Sequence, residues 1–243
     1  AQAGALLPLL NDPSVSTVSL ERLLASAAAL FFSGLSDRLS CPILFVLPDA
    51  YEAGYFYHDL TQVLGEAQVL FCPSTYRRAV KYGQRDAGNE ILRTEVLSRL
   101  SSYGKRNVKS TLFVVTEPSA LAELVVSKKQ LDARTLQLSV GETIDVVEIE
   151  KTLREFGFKE TDYVYEPGQF AVRCSILDVY SYSCDMPYRI DFFGDDIDTI
   201  RTFEIESQLS KNKCERIEIV PELATIREEK VSFLRFLPSE TLL

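Results

Sequence analysis

Two arginines and a phenylalanine, Arg173, Arg189 and Phe193, are spaced for recognition rather than for bond making. Side chains alternate along a strand, so a strand over 188–193 puts Tyr188, Ile190 and Phe192 on its core face. The opposite face carries Arg189, Asp191 and Phe193, and a phenylalanine is out of place among those charges. A neighbouring strand over 169–174 points Phe170 and Val172 inward, and Gln169, Ala171 and Arg173 outward. Paired, the two strands bring Arg173, Arg189 and Phe193 onto one exposed face, with the composition of a protein-binding hot spot. Periodicity alone leaves a second account open, in which Arg189 and Asp191 form a surface pair and a neighbouring loop covers Phe193.

Catalytic chemistry is poorly supplied. The chain of 243 residues holds one histidine (His58) and no tryptophan. A single imidazole cannot build a histidine-rich metal site or a pair of acid/base groups. Cys41, Cys72, Cys174, Cys184 and Cys214 include no C-x-x-C pair, which removes the zinc-ribbon reading and predicts reduced thiols in a cytoplasmic protein. No G-x4-G-K-[ST] phosphate loop, G-x-G-x-x-G, G-x-S-x-G or H-E-x-x-H occurs. Asp195, Asp196, Asp198, Glu204 and Glu206 are plentiful carboxylates, but their setting reads as a solvated hairpin turn.

The elements that must position the arginine face follow from the hydrophobic pattern. After a polar lead-in with Pro13, apolar residues at helical spacing predict a helix over 19–32, with Ser19 as its cap. Continuous apolar runs at 43–47, 69–72 and 111–116 read as strands buried on both faces, with helices between them over about 50–64 and 87–100 and after the last over 117–126. That alternation predicts a parallel sheet flanked by helices. Past Lys128 and Lys129 the pattern changes to an alternating strand at 135–140, a helix over 144–156, then strands and turns from Tyr163 to a last strand at 216–220. The fold class is therefore α/β, followed past Lys129 by an antiparallel α+β module.

Charge is uneven. The net charge is -9, which argues against a chain that coats DNA or anionic lipid as a whole. Yet 77–109 holds nine basic and three acidic residues, and Arg77, Arg78, Lys81 and Arg85 in its first part are candidate nucleic-acid contacts. The plainer account of that segment is a solvated loop and helix face. No apolar run approaches the ~18 residues of a membrane span, and no basic-then-apolar signal opens the chain.

The runs YVYEPGQFAVR (163–173), ILDVY (176–180) and PYRIDFFGDDIDTIRTF (187–203) resemble one family. They are similar to the UvrB-homology module at the N-terminus of the bacterial transcription-repair coupling factors, with an overall style like that of Bacteroidetes members. The likeness implies a UvrB-like degenerate helicase lobe, at 1–133 and resuming at 222–243, around an inserted UvrA-binding domain at 134–221. It implies a non-catalytic module that recruits UvrA in coupling stalled RNA polymerase to nucleotide excision repair. The family's UvrA contacts are two arginines and a phenylalanine, which fall on Arg173, Arg189 and Phe193. RNA polymerase and DNA would be met by other domains, and ATP and Mg would belong to a downstream motor, leaving no cofactor here. Under the same alignment, Arg22, Ala25 and Ala27 replace the glycines of the UvrB phosphate loop, and Ala28 replaces its lysine. Without that lysine the main charge partner of the phosphates is gone. Cys174 and Ser175 stand where the family has two glycines, which would shift the local hairpin. The alternatives are a helicase-like lobe that binds DNA through 77–109, or an ATPase with an unrecognised nucleotide site.

Overall fold

Three short apolar runs become the parallel sheet their composition predicts. The computed structural model describes residues 2–10, 12, 14–23, 26–75, 87–103, 111–226 and 229–243. In it, the runs are β1 (Ile43–Val46), β2 (Val69–Cys72) and β3 (Phe113–Thr116), in the order β1-β3-β2 with both pairings parallel. The central strand β3 is buried along its whole length. Its one hydroxyl is satisfied, because Thr116 Oγ1 donates to the Cys72 carbonyl at 2.7 Å. Between β1 and β2 runs α3 (Ala50–Leu64), capped by Asp49, whose side chain accepts from the Tyr51 and Glu52 amides.

The chain's contacts divide it into two units, residues 1–74, 99–123 and 232–243, and residues 75–98 and 124–231. The sequence boundaries at 133/134 and 221/222 rest on composition and likeness instead, and remain a proposal.

The first unit departs from the sequence reading near its start. The lead-in contains α1 (Gln2–Leu10), which buries Leu6 and packs Leu7 and Leu10 against the same core. The helix expected over 19–32 is shorter: 19–23 is irregular and α2 spans Ala27–Ser33. Arg22 lies at φ 63°, in the left-handed region that a right-handed helix cannot pass through, so Ser19 caps nothing. Further along the chain, α4 (Ala87–Ser102), which lies in the second unit up to Ser98, is close to its expected span. Its Arg93 is buried, so this part of the basic segment is not the solvated face expected. The helix after β3 stops early as α5 (Pro118–Ala122), because Glu123 turns extended and the β-branched run that follows forms β4 (Leu124–Val126).

The second unit is built on a meander. A short helix α6 (Lys128–Ala133) opens on a capping box made by Ser127 and Gln130. After it come β5 (Leu136–Ser139), α7 (Val146–Glu155), β6 (Lys159–Glu160), β7 (Gln169–Arg173), β8 (Ile176–Val179), β9 (Tyr188–Phe193), β10 (Asp196–Phe203), β11 (Ser210–Cys214) and β12 (Arg216–Ile219). Strand β13 (Lys230–Ser232) follows near the end of the chain. The strands β7 to β11 are antiparallel neighbours in sequence order, β6 adds a parallel edge beside β7, and β5 pairs with β12. Against the inner face of the six-stranded sheet, α7 buries Ile149 and Leu153 among Phe170, Leu177, Ile190 and Phe192. Among the described residues, no helix is long and apolar enough to cross a membrane.

Candidate protein-docking face

The outer face of the six-stranded sheet carries the residues of interest. Burial along β9 alternates as expected, with Tyr188, Ile190 and Phe192 inside and Arg189, Asp191 and Phe193 outside. Register sets Asp178 of β8 directly opposite Arg189 of β9, while Arg173 of β7 pairs with Ile176, two residues from Asp178. Asp178 is thus within reach of one arginine straight across and of another on the diagonal.

Both arginines take hold of it. Asp178 is fully buried. Arg189 Nε donates to its Oδ1 at 2.7 Å, and Arg189 Nη2 donates to its Oδ2 at 2.8 Å, a bidentate pair. Arg173 Nη2 donates to the same Oδ2. Each guanidinium is pinned by further contacts. Arg189 Nη1 donates to the Gln208 carbonyl at 3.0 Å, and its Cζ sits 4.5 Å from the centre of the Phe203 ring. Arg173 Nη1 donates to the Asp162 carbonyl at 2.8 Å, and its Cζ sits 4.8 Å from the centre of the Tyr163 ring. Such cation–π contacts contribute about 0.5–1 kcal/mol each at exposed sites.

A second, smaller apolar layer lies under these charges. Val164, Ala171, Tyr180 and Phe203 are buried together, with Ile205 packed beside them. Ala171, expected to face outward into solvent, is therefore covered. The apolar surroundings strengthen the pairs and raise the cost of any charge left alone. The hydrogen bonds to Asp178 lift the Arg189 pKa above its ordinary value, against the opposing effect of burial and with help from the Asp178 and Asp191 charges. Its positive charge is fixed at any working pH.

Neither part of the surface-pair account holds in this geometry. Asp191 is taken by Arg201 and by Thr199, whose Oγ1 donates to it at 2.7 Å, rather than by Arg189. Phe193 is 82% exposed at the β9–β10 hairpin, with no loop over it. Arg173 and Arg189 are 32% and 16% exposed. The arrangement offers an exposed aromatic ring and two preset cations on one sheet face, with Phe193 four residues along β9 from Arg189.

The hairpin between β7 and β8 keeps a two-residue turn despite its missing glycines, since Arg173 still pairs with Ile176. Cys174 takes φ 53° to make that turn, a conformation that favours glycine. Sequence reasoning passed over Asp178, Tyr163 and the 204–209 loop that supplies the Gln208 carbonyl. For Asp178 the signal was an acid between Leu177 and Val179 in a strand otherwise apolar.

Other sequence candidates stand apart. Arg77, Arg78, Lys81, Arg85 and Ala25 lie outside the described residues. Ala27 and Ala28 are the first residues of α2, and Arg22 precedes it in left-handed backbone. Among the described residues, no group of three or more His, Cys, Asp or Glu side chains could hold a metal ion.

Comparison with known proteins bears on this same face. Residues 136–224 match the family described as UvrB interaction domain. The transcription-repair-coupling factor of Bacillus subtilis is 28% identical over 86% of this chain and 18% of its own length. That of Escherichia coli is 23% identical over 83% of the chain and 17% of its length. UvrABC system protein B of Thermotoga neapolitana is 25% identical over 79% of the chain and 30% of its length. The chain thus spans less than a fifth of the coupling factors it resembles. Over most of its residues it is similar to transcription-repair-coupling factors, and the part that matches the UvrB interaction domain is the part that carries Arg173, Arg189 and Phe193.

Proposed function

We propose that this chain is the N-terminal module of a transcription-repair coupling factor and recruits UvrA by protein–protein contact, without catalysis of its own. The observation that carries the reading is Phe193, 82% exposed on the sheet face where two arginines are locked on one buried carboxylate. A large apolar ring left in solvent next to cations is the make-up of an interface anchor. The match of 136–224 to the UvrB interaction domain supports UvrA as the partner. On this reading 1–133 is a helicase-like lobe without a phosphate loop, 134–221 the docking domain and 222–243 the return of the lobe. RNA polymerase, DNA, ATP and Mg are met elsewhere in a longer cytoplasmic protein.

Titration of UvrA with this chain tests the proposal. Phe193→Ala, which removes an exposed ring and no internal contact, should weaken binding at least about 30-fold, the ~2 kcal/mol of a hot-spot anchor. Wild-type affinity in both Phe193→Ala and Arg173→Ala would remove this face from the interface.

A further inference from the structure

We infer that Asp178 is the positioning residue of the docking face, holding Arg173 and Arg189 in one fixed arrangement on the face that carries Phe193 before any partner arrives. The inference rests on the reading of this face as the UvrA-binding surface. It names a residue that a partner cannot touch, since Asp178 is fully buried.

The geometry assigns that role because the two arginines come from different strands and converge on one carboxylate. Among the described residues, the side-chain hydrogen bonds of Asp178 go to Arg173 and Arg189 alone. Arg189 occupies both carboxylate oxygens, and Arg173 shares Oδ2. A free arginine side chain samples many rotamers and must give them up on binding. Here that ordering is complete beforehand, which lowers the cost of association. Further contacts complete the clamp, with the Asp162 carbonyl and the Tyr163 ring on Arg173, and the Gln208 carbonyl and the buried Phe203 ring on Arg189. One carboxylate against two guanidinium groups also leaves one positive charge unbalanced by Asp178. The face is therefore both rigid and cationic at its centre, with the aromatic anchor two residues along β9 from Asp191 and four from Arg189.

The test is UvrA affinity measured on folded protein, well below the midpoint of thermal unfolding. Asp178→Asn keeps the shape of the side chain and removes the charge that gathers both arginines. It should weaken binding about 10-fold in the otherwise native chain, as expected when hot-spot residues lose preorganisation. In a chain already carrying Arg173→Ala and Arg189→Ala, the same change should alter affinity less than about 2-fold, because nothing is left to position. Asp178→Glu keeps the charge but displaces the carboxylate by one methylene; in its folded form it too should bind several-fold more weakly.

Native affinity in folded Asp178→Asn or Asp178→Glu would overturn the inference. So would an equal loss in both backgrounds, which would mark a purely structural effect. Failure of the docking face itself would look different, with native binding in Phe193→Ala and Arg173→Ala.

Discussion

Arg189 is the residue at which affinity and stability are hardest to separate. Its guanidinium is only 16% exposed and both oxygens of Asp178 depend on it. Arg189→Glu would therefore set two carboxylates against each other above an apolar layer, with one partner of a buried pair gone. That should cost about 3–5 kcal/mol of stability, visible as a large fall in the denaturant midpoint. Phe193→Ala should leave the midpoint within about 0.5 kcal/mol of native, as surface substitutions usually do. Lost UvrA binding in Arg189→Glu alone would thus say little, and Phe193→Ala is the cleaner probe. The difference also marks what could be read in advance. Strand alternation is local, so Arg189 and Phe193 on one face were legible from 188–193. The partner of Arg189 was not, because Asp178 meets it only through the register of two strands. Sequence proximity pointed to Asp191 instead, and Arg201 from the next strand had taken it.

At the scale of elements, the β7–β8 hairpin shows a turn chemistry at odds with its residue. Two antiparallel strands joined by two residues need positive φ at the first of them when the turn is of the II′ kind, and glycine normally supplies it. Cys174 supplies it here at φ 53°. A non-glycine residue in left-handed backbone is strained by roughly 1–2 kcal/mol, partly offset by the greater entropy glycine loses on folding. Cys174→Gly should therefore raise stability by about 0.5–1 kcal/mol, read from the denaturant midpoint. A fall would mean that the cysteine side chain contributes packing that outweighs the strain. The same logic explains the helix misread near the start of the chain. Leu20, Leu23 and Leu24 keep helical spacing, but spacing carries no information about Arg22 at φ 63°. Where the periodicity was supported by its own neighbours, as in β9 and α7, the reading and the fold agree, whereas Asp196 and Asp198, expected in a hairpin turn, lie in β10 because the turn is only two residues long.

For the whole molecule, the five cysteines report how each region excludes water. None is in a disulfide, and Cys174 is the exposed one, whereas Cys72 is buried and the others are half-buried. Burial pushes the thiols of Cys41, Cys184 and Cys214 up, which lowers their thiolate fraction at a given pH. With a colourless disulfide reagent near pH 8, native protein should release one equivalent of thiol signal quickly and the other four only slowly or on denaturation. Two or more fast equivalents would contradict the burial described for the second unit or the first. The sparse chemistry of the chain fits this picture of a molecule organised around surfaces. Its one histidine and its missing phosphate loop were plain in the sequence, while the second apolar layer of Val164, Ala171, Tyr180 and Phe203 was not. That layer draws on four different strands or loops, and no single stretch of sequence displays it.

Cys174 is also the immediate neighbour of Arg173, at the rim of the proposed contact. The protein thereby carries its own attachment point for an optical reporter. A small environment-sensitive dye coupled there would sit beside the arriving partner rather than beneath it. Its emission would follow each encounter in real time, without a mutation anywhere in the chain.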